Sequence, residues 1–295
     1  MATLKEVKLK IAGVKKTRQI TSAMKMVATS RLRGAQMAMD AFRPYAAKYA
    51  EVLGSLAQKA GDNASPLLVP REEVKKIHVM ICTSDRGLCG GFNFNIMDKA
   101  AALISEKCGD NVDVSITSFG KKGREWAKKE EMSIVDQYLG VVGAKFGFNV
   151  ASVAGQKLIN QFIAGEYDEV YVVYSRFVSM ARQVPVVQQI LPIPPIEVQE
   201  DEEADKPFIA EHICEPSPEA LLGEMLPKNV FIQIYSALLE TSTSEHAARM
   251  SAMDNATKAC KDMINDLQRL YNKRRQAAIT ADLMDIVGGA EALKG

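Results

Sequence analysis

The segment that could carry chemistry spans residues 78 to 93, HVMICTSDRGLCGGFN, in which an apolar run leads into a glycine-rich turn. Its glycines, Gly87, Gly90 and Gly91, form the pattern G-x-x-G-G. That pattern matches neither the G-x-G-x-x-G of dinucleotide sites nor the G-x-x-x-x-G-K-[ST] of phosphate loops. The glycines therefore predict a structural turn between a strand and a helix, in which some backbone positions need positive φ.

The sequence contains no pattern typical of a catalytic nucleophile or of a metal site. Ser84 lacks the G-x-S-x-G frame of a nucleophile elbow, and no histidine lies close enough in sequence to Cys89 to activate it. No two cysteines form a C-x-x-C pair, and the three histidines are far apart in sequence. These residues are Cys82, Cys89, Cys108, Cys214, Cys260, His78, His212 and His246. The sequence predicts no catalytic residue, no zinc site, no disulfide framework and no bound cofactor.

The middle of the chain, residues 70–215, alternates between strand-like and helix-like segments. VKKIHVMICTSD, VDVSITSF, DEVYVVYSRF and QVPVVQQILPI are typical of buried strands, and KKGREWAKK and ASVAGQKLINQFIAG of helices. Such alternation predicts a Rossmann-like α/β domain with a largely parallel sheet. The last two strands are close in sequence, which indicates one antiparallel pair at an edge. The acidic segment 197–207, EVQEDEEADKP, is expected to be a mobile loop.

The first 60 residues have the pattern of one long helix. Apolar residues recur at alternating three- and four-residue steps, which is the seam of a coiled coil. Between two apolar blocks, the seam positions hold Arg18, Thr21 and Lys25, so the packing there is interrupted by polar groups. The apolar positions are Leu4, Val7, Ile11, Val14, Ala28, Leu32, Ala35, Met39, Phe42, Ala46 and Tyr49.

The C-terminal segment repeats this pattern. Its seam is expected at Met250, Met253, Thr257, Cys260, Ile264, Leu267, Tyr271, Arg274 and Ala278. Pro227 is the predicted break or start of this helix, and Gly288-Gly289 its predicted stop. Because a domain is inserted between the two helices, we expect them to lie antiparallel and to bury their seams against each other. The predicted fold is α/β, with a long antiparallel coiled coil of the terminal helices.

Charge is distributed unevenly along the chain. The net charge is +1, yet residues 1–60 hold 12 Lys/Arg against 3 Asp/Glu, a local excess of +9. A solvated basic helix face is one explanation, and an acidic partner is the other. A basic coiled coil could also bind nucleic acid, but aromatic side chains do not interleave with the charges as base stacking would require.

Composition indicates a globular protein without a membrane-spanning or targeting segment. Apolar residues make up 47% of the 295 residues, but no uninterrupted apolar run has the length of a membrane span. The opening MATLKEVKLKIAGVKK lacks the apolar core of a signal peptide and the Arg/Ser-rich character of an organellar leader. We therefore expect a cytoplasmic protein of bacterial type.

Three segments, in this order along the chain, resemble one known family. ITSAMKMVATSRLR near the start, SDRGLCGGFN in the middle, and SEHAARMSAMDNAT with YNKRRQAAITADLMDIVGGA at the end are similar to the signature segments of the gamma subunit of the F-type ATP synthase. Together they span nearly the whole chain. A Rossmann-type enzyme with helical arms is the alternative from another functional class.

The resemblance implies a non-catalytic central-stalk rotor that couples proton transport to ATP synthesis. Its domains would be 1–60, the N-terminal coiled-coil helix; 70–215, the Rossmann-like domain; and 216–295, the C-terminal helical segment. The implied partners are the hexamer of alpha and beta subunits, the epsilon subunit and the ring of c subunits. The implied location is the cytoplasmic face of the bacterial inner membrane, with peripheral association through the complex. Nucleic acid is not among the implied partners.

The resemblance also implies interface and coupling residues. Met24 and the adjoining Lys25 would face the beta subunits, and Arg249, in ARMSAM, matches a coupling position. A second group lies in RRQAAIT and comprises Arg275, Gln276 and Thr280. The family's chloroplast variant carries a redox-active dithiol, whereas only Cys214 lies near that region here, so thiol regulation is not expected.

Overall fold

The structure, a computed structural model, describes residues 3–60, 65–71, 73–107, 112–194 and 217–292. The expected acidic loop, Cys108, Cys214 and His212 lie outside these ranges. The chain divides into two compact units. Unit 1 comprises residues 1–29 and 249–295, and unit 2 comprises residues 30–248.

A five-stranded sheet forms the centre of unit 2, in the order β3-β2-β1-β4-β5. Its strands are β1 (Lys76–Cys82), β2 (Asp113–Phe119), β3 (Ser133–Tyr138), β4 (Glu169–Phe177) and β5 (Gln183–Leu191). The first four are parallel, and β5 pairs antiparallel with β4 at one edge. The predicted parallel sheet with one antiparallel edge pair is therefore confirmed, although β3 was not anticipated.

Helices cover both faces of this sheet. Its short helices are α2 (Phe92–Lys107), α3 (Lys121–Lys129) and α4 (Phe148–Ile163). One core cluster joins α2 and α3 to the alternate strand residues Ile77, Val79 and Ile81. The opposite cluster joins α4 and parts of the two long helices to Met80 and Cys82. Successive side chains of a strand point to opposite faces, so a single run such as KIHVMIC serves both cores.

The two long helices are α1 (Leu4–Ala60) and α5 (Pro218–Ala292). A capping box opens α1, since the Thr3 amide donates to Glu6 Oε2 over 2.8 Å and the Glu6 amide donates to Thr3 Oγ1 over 3.3 Å. Ser217 Oγ accepts a hydrogen bond from the Ala220 amide at the start of α5. Each helix thus begins with a side chain that satisfies an otherwise free backbone donor.

The predicted boundaries of α5 were wrong at both ends. Pro227 lies inside the helix rather than at its start. An internal proline costs about 3 kcal/mol, and the complete burial of Leu222, Leu226 and Val230 around it offsets that cost. The helix also continues through Gly288-Gly289 to Ala292, because glycine weakens a helix by about 1 kcal/mol without ending it.

Unit 1 consists of the first part of α1 and the last part of α5, packed antiparallel. Thr257 Oγ1 donates to Thr21 Oγ1 over 2.8 Å, and Lys25 Nζ donates to Asp254 Oδ1 over 2.7 Å. Moving four residues forward on α1 therefore corresponds to moving three residues back on α5. This confirms the antiparallel arrangement expected from the seams.

The burial pattern follows the predicted seam closely. Val7, Ile11 and Ala28 are buried on α1, and Met253 on α5. The remaining predicted positions of α5, from Met250 to Ala278, are half-buried, and most of their neighbours are exposed. Arg18 is the exception, because its side chain is exposed. A long cation can leave a seam toward water while its neighbours remain packed.

Candidate functional site: the glycine turn and the polar layer

The glycine-rich turn connects β1 to α2, as predicted, but its backbone differs in detail. Gly90 has a positive φ of 61°, and its near neighbour Leu88 also has a positive φ, of 64°. Gly87 does not have a positive φ, and a Cβ added there would meet nothing within 4 Å. A Cβ on Gly91 would lie 3.4 Å from the Asn95 side chain. The positive-φ requirement therefore applies to Gly90 and not to Gly87 or Gly91.

Buried hydrogen bonds hold this turn from within. The Ser84 amide donates to Asn93 Oδ1 over 2.9 Å, and Ser84 Oγ donates to the Arg86 carbonyl over 2.6 Å. Asn93 Nδ2 donates to Ser84 Oγ and to the Cys89 sulfur, over 2.8 and 3.2 Å. Ser84 and Cys89, the two side chains with nucleophilic chemistry, are thus engaged in fixing the turn.

Asp85 joins this turn to two other loops at the same edge of the sheet. Its Oδ1 accepts the amide of Lys121 at the start of α3, and its Oδ2 accepts the amide of Gly140 after β3, each over 3.0 Å. A carboxylate at a helix N-terminus also interacts favourably with the helix dipole. Asp85 therefore ties together the ends of β1, β2 and β3.

The place where a sheet of this kind usually binds a ligand is filled by the protein itself. In open α/β sheets that place is the crevice at the carboxyl ends of the strands where the strand order reverses, here between β1 and β4. Cys82, the last residue of β1, shares a hydrogen bond with Thr241 of α5. Ser244 of α5 donates to the Ser175 carbonyl of β4 over 3.0 Å. The run 241–246, TSTSEH, is fully buried there.

Burial shifts the protonation of groups beside this filled crevice. It raises the pKa of the Cys82 thiol to about 12, which leaves the thiol protonated and unreactive at neutral pH. Burial also raises the pKa of Glu240. A hydrogen bond from the Phe177 amide and the positive charges of Arg43 and Arg176 partly oppose this rise.

In unit 1 the polar residues of the seam form a layer, which we call the polar layer and define as Thr21, Lys25, Asp254, Thr257 and Lys258. Asp254 lies between two cations, with Oδ1 2.7 Å from Lys25 Nζ and Oδ2 2.8 Å from Lys258 Nζ. Hydrogen bonds from Lys25 and then Lys258 lower the pKa of Asp254 to about 2, so it stays ionised at physiological pH.

The structure divides the predicted coupling residues into two groups, both in unit 1. Met24 and Lys25 are half-buried on α1, at the height of the polar layer, and Arg249 is half-buried on α5 five residues before Asp254. Arg275, Gln276 and Thr280 are exposed on α5, and Thr280 Oγ1 donates to the Gln276 carbonyl over 3.0 Å. The Arg275 guanidinium has no partner among the described residues and is available for an external one.

Asp254 and Asp85 each join two partners in these two regions, and sequence reasoning missed both. Asp254 had a detectable signal, because it stands four residues before Lys258 and next to the seam position Met253. Asp85 had none, because its partners are backbone amides 36 and 55 residues further along the chain.

Beyond the part of α5 that faces α1, the helix presents an apolar surface. The pairing register places Leu4, the first residue of α1, opposite Arg274. The following stretch is exposed, including the large apolar side chains Ile279, Leu283, Met284, Ile286 and Val287. No helix of the described residues in unit 1 covers them. Within the described chain, no helix is both long and apolar enough to cross a membrane, and no group of His, Cys, Asp and Glu is arranged to hold a metal ion.

Comparisons with known proteins agree with this architecture over the full length. The sequence model of the family described as ATP synthase matches residues 3–293. The ATP synthase gamma chain of Desulforapulum autotrophicum is 70% identical, covering 99% of this chain and 100% of the relative. That of Desulfosudis oleivorans is 66% identical over the whole of both chains. The chain belongs to the ATP synthase gamma chain family.

Solved structures share the fold at much lower identity. A chain from the Euglena gracilis mitochondrial ATP synthase, in an assembly of OSCP, F1 and c-ring, is 20% identical, with a TM-score of 0.65 over 98% of this chain and 94% of that one. A rotor chain from the same organism is 19% identical with a TM-score of 0.61, over 94% and 98% of the two chains. At such identities the likeness shows the fold alone. The predicted combination of long terminal helices with an inserted α/β domain is thereby confirmed.

Proposed function

We propose that this gamma-chain family member is the central-stalk rotor of a bacterial F-type ATP synthase, transmitting torque between a proton-driven c-subunit ring and a catalytic hexamer of alpha and beta subunits. The observation that carries the proposal is the 70% identity, over the full length, to a relative named ATP synthase gamma chain. The Euglena structures, whose titles name F1, a c-ring and a rotor, support the same assignment.

The charge of unit 1 suits a rod enclosed by acidic protein. Residues 1–29 and 249–295 hold 15 Lys/Arg and 7 Asp/Glu, whereas the rest of the chain holds 22 and 29. Unit 1 thus carries +8 and unit 2 carries −7. Complementary charge orients a partner and excludes wrong ones, so we infer acidic segments on the beta subunits that face Met24, Lys25 and Arg249.

A packed pair of helices can also carry torque. Its seam resists relative sliding and bending, because either motion would separate buried side chains. An asymmetric rod inside a near-threefold ring contacts each beta subunit differently and so favours a different nucleotide state in each. In this arrangement the rotor supplies no chemical group to ATP hydrolysis.

A non-catalytic role agrees with the filled crevice of unit 2. Side chains of α5 occupy the place where an enzyme of similar topology would hold its nucleotide. We propose that unit 2 serves as the foot of the rotor, contacts the epsilon subunit and the c ring, and keeps the chain at the cytoplasmic face of the inner membrane. The division into 1–60, 70–215 and 216–295 remains our proposal for functional domains.

Coupling is proposed to depend on the exposed pair Arg275 and Gln276. A planar guanidinium with five donors and a neighbouring amide suit a carboxylate and backbone groups of one beta subunit. We expect the double variant Arg275→Ala, Gln276→Ala to assemble normally but to lose about tenfold or more in ATP hydrolysis and ATP-driven proton pumping, as loss of a desolvated charged contact would predict.

The test compares this variant with a matched control in purified complexes reconstituted into vesicles. Gln268→Ala with Arg269→Ala removes the same two residue types from exposed positions of α5, where Gln268 contacts Asn272 and Arg269 contacts Asp266. We expect the control to keep nearly normal turnover. Normal turnover of the Arg275, Gln276 variant would remove that pair from the coupling site. A complex of alpha and beta subunits with full coupled activity in the absence of this chain would refute the proposed function itself.

A further inference from the structure

In the polar layer the seam of unit 1 is held by directional contacts. Above and below it, the helices meet through apolar side chains such as Val7 and Ile11 on α1. Within it, the Thr21–Thr257 hydrogen bond and the Lys25–Asp254 ion pair have defined partners at 2.8 and 2.7 Å. Apolar contacts tolerate a change of partner, whereas these two contacts do not.

Sliding of the helices illustrates the difference. Apolar residues recur every three or four positions on both helices, so displacement of α1 by one turn, about 5.4 Å, would again bring apolar side chains together. In the polar layer, a displacement of α1 toward the end of α5 would move Lys25 from Asp254 toward Lys258, and a further turn would bring it toward Lys261. Both of these registers place like charges together, so the layer disfavours slides in this direction as well as favouring the native register. A slide the other way would separate Lys25 from Asp254 and bring it toward Met250.

Asp254 is the centre of this discrimination. It is the one anion between two cations, and its side chain is only 30% exposed. A polar residue within a coiled-coil seam is a well-attested device for fixing register. The low pKa that Lys25 and Lys258 give it means that the charge persists across the physiological pH range.

We propose that Asp254 is a positioning residue that fixes the axial register of α1 against α5, and thereby sets the heights at which Met24 and Arg249 meet their partners. The coupling part of this inference rests on the proposed function, and the register part does not. Met24 adjoins Lys25, and Arg249 precedes Asp254 by about one and a half helical turns. A slipped register would move the first relative to the second.

A disulfide assay measures the register directly in the full chain within the assembled complex. The pairing register places Arg18 opposite the native Cys260, so Arg18→Cys reports the native register. Ser22→Cys, one turn later, comes opposite Cys260 only after α1 has slid by one turn toward the end of α5, and so reports the slipped register. Each reporter is combined with Asp254→Leu, Asp254→Asn, Asp254→Glu or Asp262→Asn, and mass spectrometry of the linked peptides quantifies disulfide to Cys260.

We expect Asp254→Leu and Asp254→Asn to increase the slipped disulfide by about threefold or more relative to the native one. Asp254→Glu, which keeps the charge, should restore the native ratio. Asp262→Asn, the same chemical change at an exposed position two turns away, should leave it unaltered. Asp254→Asn is nearly isosteric with the native residue and remains informative if Asp254→Leu disturbs folding.

A second measurement tests whether the register affects coupling. It is the number of protons pumped per ATP hydrolysed, in the same variants without the reporter cysteines. We expect this ratio to fall by about half or more for Asp254→Asn and to recover for Asp254→Glu. A native disulfide ratio in both the Leu and Asn variants would overturn the assigned register role. A slipped register with an unchanged pumping ratio would overturn the positioning role in coupling. Failure of the proposed function would give a different result. A complex that lacks this chain would then keep full coupled activity, whatever the variants do.

Discussion

The glycine turn of unit 2 and the end of α5 in unit 1 use polar residues in opposite ways. In unit 2, the side chains of Ser84, Asp85 and Asn93 form hydrogen bonds within the protein's own turns. The buried residues 241–246 of α5 fill the crevice between β1 and β4. In unit 1, Arg275 and Gln276 are exposed on a basic pair of helices. A region with the outline of a nucleotide-binding domain therefore uses these polar side chains internally, while the proposed coupling residues of α5 leave theirs exposed.

This contrast shows that residue types alone do not identify a functional site. The glycine turn contains a serine, a cysteine and an aspartate within six residues, yet each of their side chains already has an internal partner. The arginine and glutamine of α5 are chemically ordinary, but their exposure leaves them free to bind. Whether a polar group is already satisfied decides what it can do for another molecule.

The largest expected effect tests the seam of unit 1. Ile264→Asp should lower the free energy of unfolding by about 2–4 kcal/mol, because it removes a packed apolar side chain and desolvates a carboxylate. Ser251→Asp, at an exposed position of the same helix, should change it by less than about 0.5 kcal/mol. Denaturant titration of both variants gives the comparison, with Leu267→Asp as a second seam position. Equal midpoints for seam and off-seam variants would contradict the seam.

An intermediate effect tests the scaffold role of the glycine turn. Gly90→Val should cost about 2 kcal/mol, because a β-branched residue is strained at φ of 61°. Gly87→Val introduces the same side chain three residues away, where the backbone is unstrained and the space is open, and should cost much less. Thermal melting of the chains and assembly of the complexes measure both. If assembled Gly90→Val complexes lost the chemistry of hydrolysis, the turn would have to be part of a catalytic site.

The smallest expected effect concerns His78, a buried titratable group of unit 2. Its ring nitrogens lie 2.7 Å from Ser115 Oγ and 2.9 Å from Thr117 Oγ1, and the ring stacks on Tyr167. Burial, and then the charge of Lys157, lowers its pKa to about 3. Above about pH 6.5, the usual value for histidine, the ring is neutral in both the folded and the unfolded chain and its titration leaves stability unchanged.

Below that pH the unfolded chain takes up a proton that the folded chain excludes, so His78 should progressively destabilise the fold as the pH falls from about 6.5 toward 3. At pH 5.5 the expected loss is about 1.4 kcal/mol. Denaturant titration between pH 7.5 and 5.5 gives the free energy of unfolding of the native protein and of His78→Asn. The difference between their pH dependences is the contribution of His78. An identical pH dependence in the two proteins would show that His78 is protonated in the fold.

The sequence predicted those features that repeat with a fixed period. The seam of α5, from Met250 to Ala278, follows the three- and four-residue steps because each turn of the helix meets the same environment. The buried strands were visible as apolar runs for the same reason. β3 was missed because SIVDQY lies at the sheet edge, where only alternate residues are partly buried and the signal is short.

Features that depend on distant residues could not be predicted in this way. The continuation of α5 through Pro227 depends on packing around Leu226, which outweighs the local preference to break a helix. Asp85 acquires its role only when β2 lies beside β1 and β3 beside β2. The exposure of Arg275 was likewise not readable from its type, and its significance came from resemblance rather than from the residue itself.

The antiparallel pairing of α1 and α5 also has a consequence for how the chain is made. The contacts of the polar layer join residues 229 and 236 positions apart in sequence, so the apolar stripe of α1 emerges from the ribosome long before its partner is synthesised. At about 5–20 residues per second, that interval lasts from about ten seconds to nearly a minute. During it Val7 and Ile11 are open to other apolar surfaces, and a ribosome-associated chaperone that covers residues 4–29 would protect the nascent chain until its last helix is complete.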